Sequence, residues 1–111
     1  MKVLVIISSN DPETAWNAYR LANTCLAYDD ETTIILLGKG VETASIHSIK
    51  YNVREQSEIF EEAGGKVIGC GVCVESRQDT MPLLSEDIKG EMGSMQTLYG
   101  LTKDSDKVMT F

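Results

Sequence analysis

The 111-residue chain is poor in the residues that build disulfide frameworks and metal sites. It has three cysteines and one histidine. An odd number of cysteines does not pair fully within one chain, and we find no secretory signal, so we expect free thiols in a reducing, cytoplasmic compartment. Structural zinc takes four ligands, and Cys25 and His47 lack partners at metal-ligand spacing. We therefore predict no metal and no cofactor.

Long apolar runs and positive charge are also scarce. The longest uninterrupted apolar run, Val3–Ile7, falls far short of the roughly 20 residues that a membrane helix needs. The 10 Lys and Arg residues against 17 Asp and Glu give a formal net charge of −7. Binding to nucleic acid or to an anionic membrane surface requires a cationic face. We therefore expect neither nucleic acid nor membrane as a partner.

The chain does contain apolar runs that alternate with segments of helical spacing. The short continuous runs are typical of strands buried on both faces of a parallel sheet, and the i, i+3, i+4 spacing predicts amphipathic helices. Strands that alternate with helices indicate an α/β fold with a mainly parallel sheet of about five strands, in one domain covering 1–111. The predicted strands are 2–7, 32–37, 66–70, 88–92 and 106–111, and the predicted helices are 13–28, 52–62, 71–78 and one capped by Ser94.

The segment Gly69-Cys-Gly-Val-Cys-Val-Glu-Ser-Arg77 carries the candidate chemistry. Cys70 is predicted at the carboxyl end of a parallel strand, where ligands bind in open α/β sheets. A helix start follows, and its amides at Gly71 and Val72, with Arg77 nearby, predict a lowered thiol pKa and a nucleophilic sulfur. Cysteine is also among the most buried residue types, so an inert core residue is the alternative.

Three other features are interpreted in the same way. Cys70 and Cys73 form a C-x-x-C pair, whose spacing also suits reversible disulfide exchange. Ser8, Ser9 and Asn10 follow the first strand and are predicted to line the crevice beside Cys70, with turn and capping chemistry as the alternative. Trp16 lies off the apolar stripe of its helix, which indicates an exposed indole at a subunit contact.

The order and spacing of several motifs resemble the DsrE/DsrF/DsrH-like (YchN-like) family. They are the opening Met1-Lys-Val-Leu-Val-Ile-Ile, the strand Gly65-Lys-Val-Ile-Gly-Cys70, Arg77 seven residues further on, and the ending Asp106-Lys-Val-Met-Thr-Phe111. The resemblance implies a three-layer α/β/α sandwich that assembles as trimers or hexamers. It also implies sulfur transfer, in which a cysteine after the third strand carries sulfane sulfur as a persulfide. By position that cysteine is Cys70.

The sequence thus predicts a cytoplasmic homo-oligomer that accepts sulfur on Cys70 from a donor protein and passes it to an acceptor protein. Cys73 and Arg77 are the other predicted catalytic residues. Two alternatives stay open. One is a dithiol oxidoreductase that uses Cys70 and Cys73, and the other is a non-catalytic module that binds a small ligand or a partner.

Overall fold

A computed structural model describes the whole chain, residues 1–111, as strands that alternate with helices. A 3₁₀ helix, Gly38–Ser45, follows the second strand. The strands are β1 (Lys2–Ile7), β2 (Glu31–Leu36), β3 (Lys66–Cys70), β4 (Glu91–Gly93) and β5 (Lys107–Thr110), and the helices are α1 (Pro12–Ala27), α2 (Val53–Glu62), α3 (Gly71–Glu75), α4 (Leu84–Asp87) and α5 (Met95–Asp104).

The five strands form a single parallel sheet in the order β4-β3-β2-β1-β5. Ile35 in β2 pairs with Ile68 in β3, and Gly69 pairs with Met92 in β4. Because every strand runs the same way, all the carboxyl ends meet at one edge, and Cys70 lies there. The predicted α/β fold with a mainly parallel sheet of about five strands is confirmed.

The two faces of the sheet are covered unequally. A cluster of 16 buried residues fills the face beneath α1 and α2. The other face has a cluster of only three buried residues, Leu4, Ile35 and Ile68, against which Leu98 and Leu101 of α5 pack. No residue of α5 is itself buried. The chain therefore forms three layers, of which the α5 layer is thin.

The first two helices start where the sequence indicates. The Asp11 carboxylate accepts a hydrogen bond from the Thr14 amide at 2.9 Å, and this bond holds the pKa of Asp11 below its usual value. Asn52 caps α2 in the same way through the Glu55 amide at 3.1 Å. Along α1 three alanines are completely buried, so this helix lies close on the sheet.

Two local predictions need correction. The fourth strand is Glu91–Gly93 rather than 88–92, because Ile88 packs into the main core and the backbone at Gly90 closely approaches the Val67 carbonyl. Trp16 is half-buried rather than exposed. Its ring lies 5.5 Å from that of Tyr51, with the Arg20 guanidinium over it.

No helix reaches the length and apolar character that crossing a membrane demands.

Candidate functional site

Cys70 is both the last residue of β3 and the residue that caps α3. Its backbone is still extended (φ −68°, ψ 112°), as is usual for a cap. Its sulfur accepts a hydrogen bond from the Cys73 amide, with Sγ and N separated by 3.3 Å. The side chain is half-buried and remains a free thiol. The predicted location of Cys70, at a strand end and a helix start, is what the structure shows.

The segment that follows β2 contacts the sulfur of Cys73, which lies in α3. The Gly38 amide donates a hydrogen bond to Cys73 Sγ at 3.2 Å. Gly38 has a φ of 56°, in the left-handed region that glycine adopts without strain. At Gly40 an added Cβ would overlap the carbonyl oxygen of Ile7, so only glycine lets this loop cross the end of β1. Gly38 and Gly40 thus bring the segment after β2 close to the Cys73 sulfur.

The expected lowering of the Cys70 pKa is wrong. Burial raises the pKa of this thiol, and the neighbouring Cys73 thiol raises it further. Hydrogen bonds from the Cys73 and Val72 amides favour the thiolate but do not outweigh these effects. No contact of the Gly71 amide with the sulfur is found. The resting protein therefore holds Cys70 mainly as the protonated thiol at neutral pH.

Arg77 does not assist the thiol in the way that the sequence suggested. Its Nε donates to Glu42 Oε2 at 2.7 Å, and its Nη1 donates to the Cys73 carbonyl oxygen at 3.0 Å. The hydrogen bond from Arg77 holds the pKa of Glu42 below its ordinary range. The Arg77 guanidinium is paired with the Glu42 carboxylate, so its positive charge is neutralised and does not stabilise a thiolate at Cys70. The pair instead connects α3 to the 3₁₀ helix.

Glu42 is the residue that sequence analysis missed. It lies in the stretch 41–51, to which no element was assigned, and 35 residues separate it from Arg77. Its second oxygen accepts a hydrogen bond from Asn10 Nδ2 at 3.3 Å. No local motif marks it, because the pairing depends on the glycine-dependent loop that brings the 3₁₀ helix beside α3.

The three polar residues after β1 have separate roles. Asn10 donates to Glu42 and so reaches the Glu42–Arg77 pair. Ser8 is bound to the end of the chain, since its amide and hydroxyl both donate to the Phe111 carbonyl oxygen at 2.7 and 2.9 Å. The Ser9 hydroxyl accepts from the Asp11 amide at 3.0 Å, which is turn chemistry. Of these three residues, only Asn10 is thus hydrogen-bonded to Glu42, the partner of Arg77.

A small apolar cavity of about 10 Å³ adjoins Cys70 on the α5 face of the sheet. That volume holds about one water-sized group. Ser94 and Met95, at the start of α5, form part of its wall. On the outside, Val72 is 75% exposed and Gly71 is half-buried, so the turn after Cys70 is open to a partner. Cys70 therefore lies between a small apolar niche and an accessible surface.

The third cysteine lies apart from this site. Cys25 lies on α1 and packs at the edge of the main core. Burial raises its pKa, and the Asp30 carboxylate adds to the effect. No three His, Cys, Asp or Glu side chains converge as a group that could hold a metal ion.

Comparisons with known proteins agree with the fold. The family model described as "DsrE/DsrF-like family" matches residues 1–111. Among solved structures, the crystal structure of the YchN protein from E. coli is similar to this chain, with a TM-score of 0.77 and 28% sequence identity over 100% of both chains. No curated protein gives a significant sequence match.

Proposed function

The chain belongs to the DsrE/DsrF-like family, and we propose that it carries sulfane sulfur as a persulfide on Cys70. The observation that carries the proposal is the placement of this thiol. Cys70 ends a parallel strand, caps a helix and borders an apolar niche. Its sulfur accepts a hydrogen bond from the Cys73 amide at 3.3 Å. The family is associated with sulfur relay, which favours this chemistry for a thiol so placed.

The loading step is a thiol exchange on a persulfide. The Cys70 thiolate attacks the terminal sulfur of a donor R–S–SH, a new S–S bond forms, and the donor's own S–S bond breaks. The electron pair leaves with the donor as R–S⁻, so no external oxidant or reductant is consumed. The product is Cys70–S–SH, and an acceptor thiolate reverses the exchange. Because the thiolate is the nucleophile, the raised pKa of Cys70 limits the rate at neutral pH.

The neighbours of Cys70 support this step by position. The Cys73 amide points at the sulfur and offers a hydrogen bond to the thiolate. The niche beside Cys70 has room for a group of about the size of one water molecule. Its apolar lining suits a weakly hydrated outer sulfur. Arg77, paired with Glu42, also donates to the Cys73 carbonyl and so holds α3 in place behind Cys70.

Donor and acceptor are proposed to be proteins that approach over the exposed turn at Val72. We also propose that the protein is a homo-oligomer, a trimer or hexamer. The thin α5 layer supports this, because Met95 and Tyr99 on that helix are 64% and 68% exposed. Large apolar side chains grouped on one helix are typical of a protein interface.

A second function, dithiol chemistry, is favoured by one observation. Cys70 caps α3 and its sulfur accepts a hydrogen bond from the Cys73 amide at 3.3 Å, so the two cysteines share one helical turn. The Cys73 thiolate could attack the inner sulfur of Cys70–S–SH, forming a Cys70–Cys73 disulfide and releasing HS⁻. Under this scheme the pair would discharge sulfur as sulfide and would then need a thiol reductant to be reset.

Intact-mass spectrometry after exposure to glutathione persulfide tests the proposal. The wild type and Cys25→Ala should each gain one sulfur atom, and Cys70→Ala should not. A loss of two hydrogens in the wild type, absent from Cys73→Ala, would favour the dithiol function. An unchanged mass in every protein would contradict both the persulfide carrier and the dithiol function. The non-catalytic binding module would then be the remaining alternative.

A further inference from the structure

A second cavity, of about 340 Å³, lies on the α2 side of the sheet. It opens between α2, the 3₁₀ helix and α4, over Leu36 and Val67 of the sheet. Its volume is in the range of small-molecule sites. Neither Cys70 nor Cys73 lines it, so the cavity is separate from the thiol site.

The polar residues of this cavity differ in exposure. Tyr19 is buried and Ser57, Glu61 and Asp87 are half-buried, and these less exposed residues define the inner part of the lining. The rim carries three exposed charged side chains, those of Arg54, Glu58 and Lys89. The inner part is therefore rich in hydrogen-bond acceptors, and both cations of the cavity are at its mouth.

None of these charged groups takes part in an ion pair within the protein. The ion pairs of the chain join other residues, namely Met1 with Asp30, Lys2 with Glu31, Lys66 with Glu91 and Arg77 with Glu42. Burial raises the pKa of Glu61, and Glu58 contributes in the same direction although Lys89 opposes it. A half-buried carboxylate without an ion pair is costly to keep charged, so a cation placed beside Glu61 would be stabilising.

Tyr19 provides a second, independent observation. It is 3% exposed and lines the cavity, with its ring edge-on to Phe60 at a centroid distance of 6.1 Å. Burial and the nearby Glu61 charge raise its pKa, and no hydrogen bond contributes. Only one side-chain polar atom, Asn23 Oδ1, is both fully enclosed and without a hydrogen bond. The Tyr19 hydroxyl has no hydrogen bond either, so it is not fully enclosed. Because Tyr19 lines the cavity, its hydroxyl reaches the accessible space there.

We propose that this cavity binds a small zwitterion of the amino-acid class, with its ammonium group inside and its carboxylate at the rim. The ammonium would donate to Glu61, to Asp87 and to the Tyr19 hydroxyl. The carboxylate would lie between Arg54 and Lys89. This orientation follows from the depth of the charges, since the reverse orientation would bury a carboxylate among carboxylates.

Nuclear magnetic resonance titration of ¹⁵N-labelled protein tests this. The probes are a panel of L-amino acids, with n-propylamine and acetate as ligands that carry only one of the two charges. At least one amino acid should shift the amide signals of Ser57, Glu61 and Lys89 in a saturable way, and should bind at least about tenfold more tightly than either half-ligand.

Two conservative variants and a matched control separate binding from folding. Glu61→Gln should weaken binding about tenfold, whereas Glu62→Gln, at the exposed next position of the same helix, should not. Tyr19→Phe should weaken binding several-fold with an unchanged melting temperature, because its hydroxyl has no protein partner. No saturable shift with any amino acid up to about 10 mM, or binding of acetate or propylamine as tight as that of the best amino acid, would overturn the proposal.

Discussion

Arg77 and Glu42 form a partly buried ion pair, with Nε and Oε2 2.7 Å apart, between the end of α3 and the 3₁₀ helix. Their side chains are 21% and 25% exposed. The same guanidinium donates to the Cys73 carbonyl. The pair therefore couples the position of α3 to the 3₁₀ helix, although neither side chain hydrogen-bonds to a sulfur.

Replacing Glu42 with Gln should lower the free energy of unfolding at pH 7 by about 1–2 kcal/mol, because the Arg77 charge loses its partner. Urea denaturation measures this. The control variant Glu31→Gln removes an exposed ion pair in which Lys2 Nζ and Glu31 Oε2 are 3.9 Å apart. It should lower the free energy of unfolding by well under about 1 kcal/mol.

The effect of Glu42→Gln should also depend on pH. The folded-state pKa of Glu42 is lowered, so its contribution is complete above the unfolded-state pKa of about 4.3. It is lost as the pH falls through the folded-state value. Wild type and variant should therefore converge in stability at strongly acid pH. A difference that stays constant from pH 7 to pH 2 would show that the ion pair is not its source.

The thiol reactivity of Cys70 should rise steeply with pH. Its raised pKa leaves little thiolate at neutral pH. Alkylation of Cys70 by iodoacetamide in Cys25→Ala protein, assigned to that residue by fragment ions, should therefore have a midpoint above the free-thiol value of about 8.5. The further change Cys73→Ala removes the neighbouring thiol that raises the pKa, so the midpoint should move down. A midpoint below that of a free thiol, or an upward move on Cys73→Ala, would contradict this description of the site.

Two glycine substitutions should have opposite effects. Gly40→Ala places a Cβ against the Ile7 carbonyl oxygen, and it should cost at least about 3 kcal/mol or prevent folding. Gly100→Ala lies within α5, where the added Cβ would meet no atom outside the helix's own backbone within 4 Å, and it should stabilise the protein by about 0.5–1 kcal/mol. Thermal melts of both variants check the pair. Equal effects at the two positions would contradict the close approach at Gly40.

Self-association should depend on α5. Light scattering at micromolar concentration should give a mass well above the 12.2 kDa of one chain. Tyr99→Glu, on the exposed side of α5, should reduce that mass. Tyr28→Glu, at an exposed tyrosine just after α1, should not. A monomeric wild type would refute the proposed oligomer, and loss of mass in both variants would place the interface elsewhere.

Local signals predicted much of this fold. The run that ends at Ile7 and the short strand that ends at Cys70 were identified because buried strands are continuous in apolar residues. The order of strands was not predicted, since β4 and β5 lie at opposite edges and no local pattern encodes that. The site was only half predictable. Cys70 and Cys73 are three positions apart in the sequence, whereas the Glu42–Arg77 pair joins distant segments and occupies the Arg77 cation.

The location of the transferred sulfur tests the central claim most directly. After loading with glutathione persulfide and alkylation, trypsin releases residues 67–77, which contain Cys70 and Cys73, and residues 21–39, which contain Cys25. Fragment ions that separate the two cysteines of the first peptide assign the extra sulfur. We predict that it is found on Cys70, and that a thiol acceptor removes it. Extra sulfur mainly on Cys73 or Cys25, or none on any cysteine, would contradict Cys70 as the carrier.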